Sequence, residues 1–294
     1  MKILFATDGS AHAEYAERFM ANLLCQEHSS IDLNVVSVCP SPDLHLIGAK
    51  FPAAVLEAVD EFRQASQDVL DAVASRLKSR VNSIGESLLD GHAATSILEQ
   101  IEESKPDLCV VGSHGWTFSE RVFLGSVSNQ VATHSECSVL VVKPRENVLD
   151  EVRCQTILIA EDGTGSAVKA LSKLKEHCNC QEIQVRLVSV VENTFSVDPL
   201  MPEQFAGMQL REVEDKRTRL ATLANQFRSD WKDIAFEVRS GHSVTREIIE
   251  SAKENEADLI VVSSEPKSLL KRVFLGSTAL GILHRSPCSV LIDR

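Results

Sequence analysis

The chain has 294 residues, with 30 Lys and Arg against 42 Asp and Glu and a formal net charge of -12 at pH 7. That length suits about two domains of roughly 150 residues, each large enough to bury its own core. An acidic chain without a Lys/Arg run is a poor fit to phosphate backbones, so nucleic acid is not an expected partner.

The opening MKILFATDGS is too short an apolar run for a secretion signal, and no stretch approaches the ~18 apolar residues of a membrane span. The expectation is a cytoplasmic protein with no membrane partner. Of eight cysteines, Cys39, Cys109, Cys137 and Cys288 sit in apolar runs and read as buried free thiols. Cys178-Asn179-Cys180 after His177 offers at most three ligands and lacks the second pair of a structural zinc site. It reads as a helix end entering a turn, and no metal site is expected.

In chain order, Ile3-Ala6 is a short apolar strand followed by the turn Thr7-Asp8-Gly9, with Ser10 as N-cap of a helix carrying Tyr15, Phe19, Met20, Leu23 and Leu24 at helical spacing. Leu33-Val38 is the second strand. The proline-bearing PSPDLHLIGAKFP that follows is either a lid or a connector. Residues 51–80 read as a helix with Val55, Val59, Phe62, Val69, Val73 and Leu77 on one side. Ser83-Leu89 is a third strand, and Asp90-Gly91-His92 a turn. Thr95 is the expected N-cap of a helix carrying Ile97, Leu98 and Ile101, and Leu108-Val111 and Val139-Val142 complete the strands. These strands are continuous rather than alternating, as for strands covered on both faces.

The pattern then repeats. KILFATDGS at Lys2-Ser10 returns as TILIAEDGT at Thr156-Thr164, DGHAATSILEQI as SGHSVTREIIES, DLCVVGS as DLIVVSS, and CSVLVV as CSVLID. A second long helix is expected at about 202–228, with Phe205, Leu210, Val213, Leu220, Leu223 and Phe227. The expected organisation is a domain at 1–145, a charged linker at 146–153 and a second domain at 154–294. Strands alternating with helices predict an α/β fold: two similar doubly wound domains, each an open five-stranded parallel sheet with helices on both faces. Ligands of such sheets bind beyond the carboxyl ends of the strands.

At that edge the first half carries Gly112-Ser113-His114-Gly115 and then Gly125-Ser126, a G-x2-G-x9-G-S spacing, just before the helix start Val127-Ser128-Asn129-Gln130-Val131. Glycines let main-chain N–H groups converge on an anion, and a helix N-terminus suits a phosphate. Spacing alone leaves ordinary turns as an equal explanation.

ATDGS after the first strand, GSHG after the fourth and RVFLGSVS before the last helix together resemble the universal stress protein family, over both halves. The resemblance implies a tandem member binding ATP or ADP, with or without Mg²⁺. Ala6, Thr7 and Asp8 would close the nucleoside end, with Asp8 near the ribose or adenine, and Val38 would offer backbone groups to the adenine edge. Gly112, Ser113, His114 and Gly115 would wrap the phosphates, and Gly125, Ser126, Val127 and Ser128 would hold their far end. It further implies that the two halves pair through their last strands as an intramolecular pseudo-dimer, and leaves a homodimer of chains open. In the second half Asp162, Val190, Gly276 and Ser277 stand where Asp8, Val38, Gly125 and Ser126 do, but Ser263 and Pro266 replace the two leading glycines. Proline has no N–H and serine adds a Cβ, so this copy is expected to be a pseudo-site.

No P-loop, Ser-Gly-Gly-x-Asp-Ser loop or His-x-Gly-His pair occurs, no second catalytic group accompanies His114, and no catalytic residue is assigned. The expected function is a nucleotide-binding stress-response regulator with at most slow ATP hydrolysis. A nucleotide-free interaction scaffold and a true kinase or phosphohydrolase are the alternatives.

Overall fold

A computed structural model of the chain describes residues 1–25, 30–40, 53–115, 124–144, 152–193, 203–264 and 275–294. Residues 41–52 of the lid-or-connector segment, residues 146–151 of the linker and Pro266 lie outside the described residues. The chain forms two compact units, the first built on residues 1–152 and the second on the residues from Arg153.

The first unit contains β1 (Lys2–Ala6), α1 (Ala11–Leu23), β2 (Asp32–Cys39), α2 (Ala53–Leu77), β3 (Ser83–Asp90), α3 (Ala93–Ser104), β4 (Leu108–Gly112), α4 (Ser126–His134) and β5 (Ser138–Val142). Its strands are parallel in the order β3-β2-β1-β4-β5. The second unit repeats this with β6 (Thr156–Ala160), α5 (Ser166–His177), β7 (Gln184–Glu192), α6 (Glu203–Phe227), β8 (Asp233–Gly241), α7 (Val244–Glu254), β9 (Leu259–Ser263), α8 (Ser277–Arg285) and β10 (Ser289–Asp293), ordered β8-β7-β6-β9-β10. The order reverses beside β1 and again beside β6. A crevice opens at each such switch point, between the carboxyl ends of β1 and β4 and of β6 and β9.

The central strands are buried on both faces, with Ile3, Leu4 and Phe5 in β1 and Ile157, Leu158 and Ile159 in β6 almost fully excluded from solvent. β3 departs from the expectation: as the outer strand of its sheet it has no fully buried residue. The long helices differ too. Leu70, Val73 and Leu77 of α2 and Leu220, Leu223 and Phe227 of α6 are buried, whereas Phe62 is 46 % and Leu210 71 % exposed. A helix of 25 residues is about 37 Å long, and the eight residues of β2 span only about 26 Å. The first turns of α2 and α6 therefore overhang the carboxyl edge of their sheets.

Ser10 caps α1 as expected, its Oγ accepting from Ala13 N–H at 3.3 Å. Thr95 does not cap α3. The helix begins earlier, with Ser96 N–H donating to His92 O at 2.9 Å. The buried Glu17 carboxylate of α1 takes both Oε atoms to Arg76 of α2, at 2.7 and 2.6 Å.

Leu70→Ala and Leu220→Ala should each cost about 2–5 kcal/mol in urea unfolding, as fully buried side chains that leave cavities. Phe62→Ala and Leu210→Ala, at exposed positions of these helices, should change stability by no more than about 0.5 kcal/mol.

Candidate functional site

At the switch point of the first unit, β1 runs into a turn whose polar atoms are largely committed. Thr7 N–H donates to Val36 O at 2.9 Å, extending the ladder to β2 by one residue. Thr7 Oγ1 accepts from Gly9 N–H at 3.2 Å, and Asp8 Oδ1 accepts from Ser10 N–H at 3.0 Å, an Asx turn. Gly9 has a φ of 72°, a left-handed conformation that suits glycine, and packs under Val69. The ladder between β1 and β2 stops at Ala6 and Val36. Val38, two residues on, shares the side of Val36, so its main-chain groups point past the end of β1.

From the other side of the crevice β4 delivers the glycine loop. A Cβ on Gly112 would stand 3.1 Å from His12 O and 3.3 Å from Ala13 N, in the first turn of α1. A Cβ on Gly115 would collide with the Asp8 carboxylate. A Cβ on Gly125 would lie 3.0 Å from Ser113 O and 3.4 Å from His114 Cα. None of the three has a positive φ, so close approach rather than left-handed backbone is what requires glycine there.

Ser113 is fully buried, its N–H donating to Val142 O at 2.8 Å and its carbonyl accepting from Gly125 N–H at 2.8 Å. Ser128 is buried as well, with its Oγ 2.9 Å from Ser113 O and 3.0 Å from Gly125 O. The Ser128 hydroxyl and the Ser113 main chain thus lock the loop to α4. What α4 does offer is its first turn: Gly125 is the N-cap without a side-chain cap, and Ser126, Val127 and Ser128 are the residues whose N–H groups lack intrahelical acceptors.

Asp8, expected at the ribose or adenine, has its carboxylate against Gly115, at the glycine loop. The structure also brings in a residue that motif reading missed. His12, in the first turn of α1, has its ring centroid 5.2 Å from that of His114 with the planes at 59°. His114 Nδ1 is 3.2 Å from Ser113 Oγ. Burial and then the neighbouring His114 ring push the His12 pKa below its ordinary value, with Asp8 pulling the other way. His12 stands two residues after the N-cap Ser10, a first-turn position that the ATDGS pattern itself indicates.

The second crevice keeps the backbone and changes the chemistry. Glu161 N–H donates to Val188 O at 2.8 Å and Ser264 N–H to Asp293 O at 2.9 Å, the counterparts of the Thr7 and Ser113 bonds. Ser263 replaces Gly112 and Ser166 replaces His12, and both line a shallow depression with Ala160, Ala167, Val261 and the buried Asp293. Lys173 Nζ lies 2.6 Å from Asp293 Oδ1. Burial opposes the charge of Asp162, yet hydrogen bonds from Thr164 Oγ1 at 2.7 Å, Thr164 N–H at 3.0 Å and Ser166 Oγ at 3.4 Å hold its pKa below the usual carboxylate value. His92 and His242, each in the turn before a helix, belong to neither crevice lining described above.

The shared field of the two histidines can be read directly. His114→Gln should raise the His12 pKa and Asp8→Asn should lower it further, followed by NMR titration of the ring protons. A His12 titration that neither change moves would mean that the groups do not sense one another.

Comparison with known proteins fits this geometry. The family model described as the universal stress protein family matches residues 1–143 and again 154–294. A universal stress protein of Methanocaldococcus jannaschii is 32 % identical over 144 residues, covering 48 % of this chain and 81 % of that one. One from Thermus aquaticus is 33 % identical over 141 residues, covering 48 % of this chain and 97 % of that one. A crystal structure of a universal stress protein from Archaeoglobus fulgidus superposes with a TM-score of 0.67 over 100 % of this chain and 96 % of that one at 18 % identity, a likeness of fold. With both halves matched in turn over nearly all of its length, the chain belongs to the universal stress protein family as a tandem, two-domain member.

Proposed function

We propose that the N-terminal domain binds one adenine nucleotide, ATP or ADP, and that the chain is a cytoplasmic stress-response regulator whose C-terminal domain is a pseudo-site. The observation that carries this is the glycine cradle. At 112 and 125 a Cβ would stand 3.1 and 3.0 Å from backbone oxygens and at 115 it would displace the Asp8 carboxylate, so glycine favours a loop held tight against α1 and α4. That packing sets His12, His114 and the uncapped first turn of α4 around one crevice at the carboxyl edge.

The residues fit a polyphosphate. The N–H groups of Ser126, Val127 and Ser128 would hold its far end, His114 and Gly115 would lie along it, and Val38 would present main-chain groups to the base. Ala6 and Thr7 would close the nucleoside end, beside Asp8. Among the described residues no group of three or more His, Cys, Asp or Glu could hold a metal ion, so Mg²⁺ would arrive with the phosphates. A nucleophile paired with a base is not assigned, and the chemistry is limited to slow hydrolysis. No helix among the described residues is long and apolar enough to cross a membrane.

Titration calorimetry of the whole chain with ATP and Mg²⁺ should give one nucleotide per chain. Gly112→Pro should weaken binding by roughly a hundredfold or more through lost charge-assisted contacts. A chain that binds no nucleotide returns the protein to the scaffold alternative, and undiminished binding in Gly112→Pro rejects the glycine loop as the site. ATP turnover that vanishes in His114→Ala would instead make it an enzyme.

Binding should also be linked to protons. The phosphates raise the pKa of His12 from its depressed value, so the bound state holds more protons than the free state wherever pH lies between the two values. The His12 contribution to affinity should therefore grow as pH falls from 8 to 6 and be lost as pH rises through the bound-state pKa. His12→Gln should flatten that slope in calorimetry repeated across the range.

A further inference from the structure

We propose that the C-terminal domain is closed to nucleotide by two of its own side chains, Glu161 and Lys216, which take up the nucleoside end of its crevice with a buried charge and a filled base-reading carbonyl. This rests on the proposed nucleotide site of the N-terminal domain and goes past the loss of the loop glycines.

The two domains correspond residue by residue at the relevant elements. Thr7 and Glu161 make the same backbone bond to β2 and β7, and Leu70 and Leu220 are the corresponding fully buried residues of α2 and α6. Counting back from those leucines, Ser66 corresponds to Lys216 and Val69 to Arg219.

Glu161 is buried, 6 % exposed, at the foot of α5. Its Oε1 accepts from Gly163 N–H at 2.7 Å and its Oε2 from Ala167 N–H at 3.2 Å. In the first domain these two donors, Gly9 N–H and Ala13 N–H, go to the neutral hydroxyls of Thr7 and Ser10. One carboxylate has thus replaced two hydroxyls and brings a full negative charge to the start of the helix, where the dipole favours an anion. A phosphate entering that crevice would meet a charge of its own sign already in place, with like charges at short range in a partly dry site.

The base end is filled as well. Lys216 Nζ donates to Val190 O at 2.7 Å, and its side chain is 20 % exposed. Val190 is the counterpart of Val38, two residues beyond the last ladder bond to the preceding strand, where main-chain groups would read an adenine edge. In the first domain the residue in the place of Lys216 is the small, buried Ser66. Arg219 also lies against Gly163, where the first domain has Val69 against Gly9. The second crevice has therefore acquired an internal anion and an internal cation, each hydrogen-bonded to backbone at a position the first leaves to smaller groups.

The proposal separates from the glycine argument by stoichiometry. In calorimetry of the whole chain with ATP and Mg²⁺, Ser263→Gly with Pro266→Gly should bind no more nucleotide than the wild type. Adding Glu161→Thr and Lys216→Ser should raise the count by one per chain. An extra site in the glycine pair alone, or none in the fourfold variant, overturns the proposal. The count is taken as a difference, so a wild type that binds nothing rejects the N-terminal site and still leaves this comparison decisive. If the fourfold variant does not fold, Lys216→Ser added to the glycine pair is compared with the glycine pair alone by the melting-temperature shift on adding ATP and Mg²⁺. A larger shift in the variant supports the internal occupants, and an equal shift overturns them.

Discussion

The site depends on one close approach: the end of β4 against the first turn of α1. Parallel strands deliver β1 and β4 to the same edge, and the chain order forces the loops after them to diverge to opposite sides. What keeps the resulting crevice narrow is that Gly112 has no Cβ to place against His12 O and Ala13 N. Beside it Ser113 lies in the interior, its N–H paired with Val142 O and its carbonyl accepting from Gly125 N–H. The start of α4 is thereby pinned beside the turn after β1, although the two segments are over a hundred residues apart in sequence. A few unsubstituted Cα atoms thus set the spacing of every polar group in the crevice.

The duplicated domain separates what the fold needs from what the site needs. Its backbone bonds at the carboxyl edge are the same ones, from Glu161 to Val188 and from Ser264 to Asp293. Since the ladder is held by main-chain groups, it tolerates any side chain that packs, and the crevice is free to change its chemistry. It has done so in charge as well as shape. Glutamate, aspartate and lysine stand where threonine, valine and serine stand in the first copy, at positions 161, 293 and 216.

Buried charge is handled consistently across the molecule. Glu17 is held by a two-pronged bond from Arg76, Asp293 by Lys173, and Glu161 by two backbone N–H groups. A buried carboxylate without such donors would be strongly destabilising. These donors explain why acidic residues can sit inside so compact an edge.

The sequence by itself determined the two-copy organisation, the strand and helix order, and the positions of the loop glycines, because hydrophobic period and repeated motifs are local properties. It also marked Ser10 as a cap, since capping involves residues three apart. It misjudged Thr95, Phe62 and Leu210, where the outcome turned on where a helix starts relative to the sheet and on how far it outruns its neighbouring strands. Only the tertiary structure decided that Ser113 and Ser128 are buried, that His12 meets His114, that Glu161 turns onto the N–H groups of Gly163 and Ala167, and that Lys216 reaches Val190 O. Each of those is a matter of side-chain direction between elements remote in sequence, and direction follows from packing rather than from residue type or spacing.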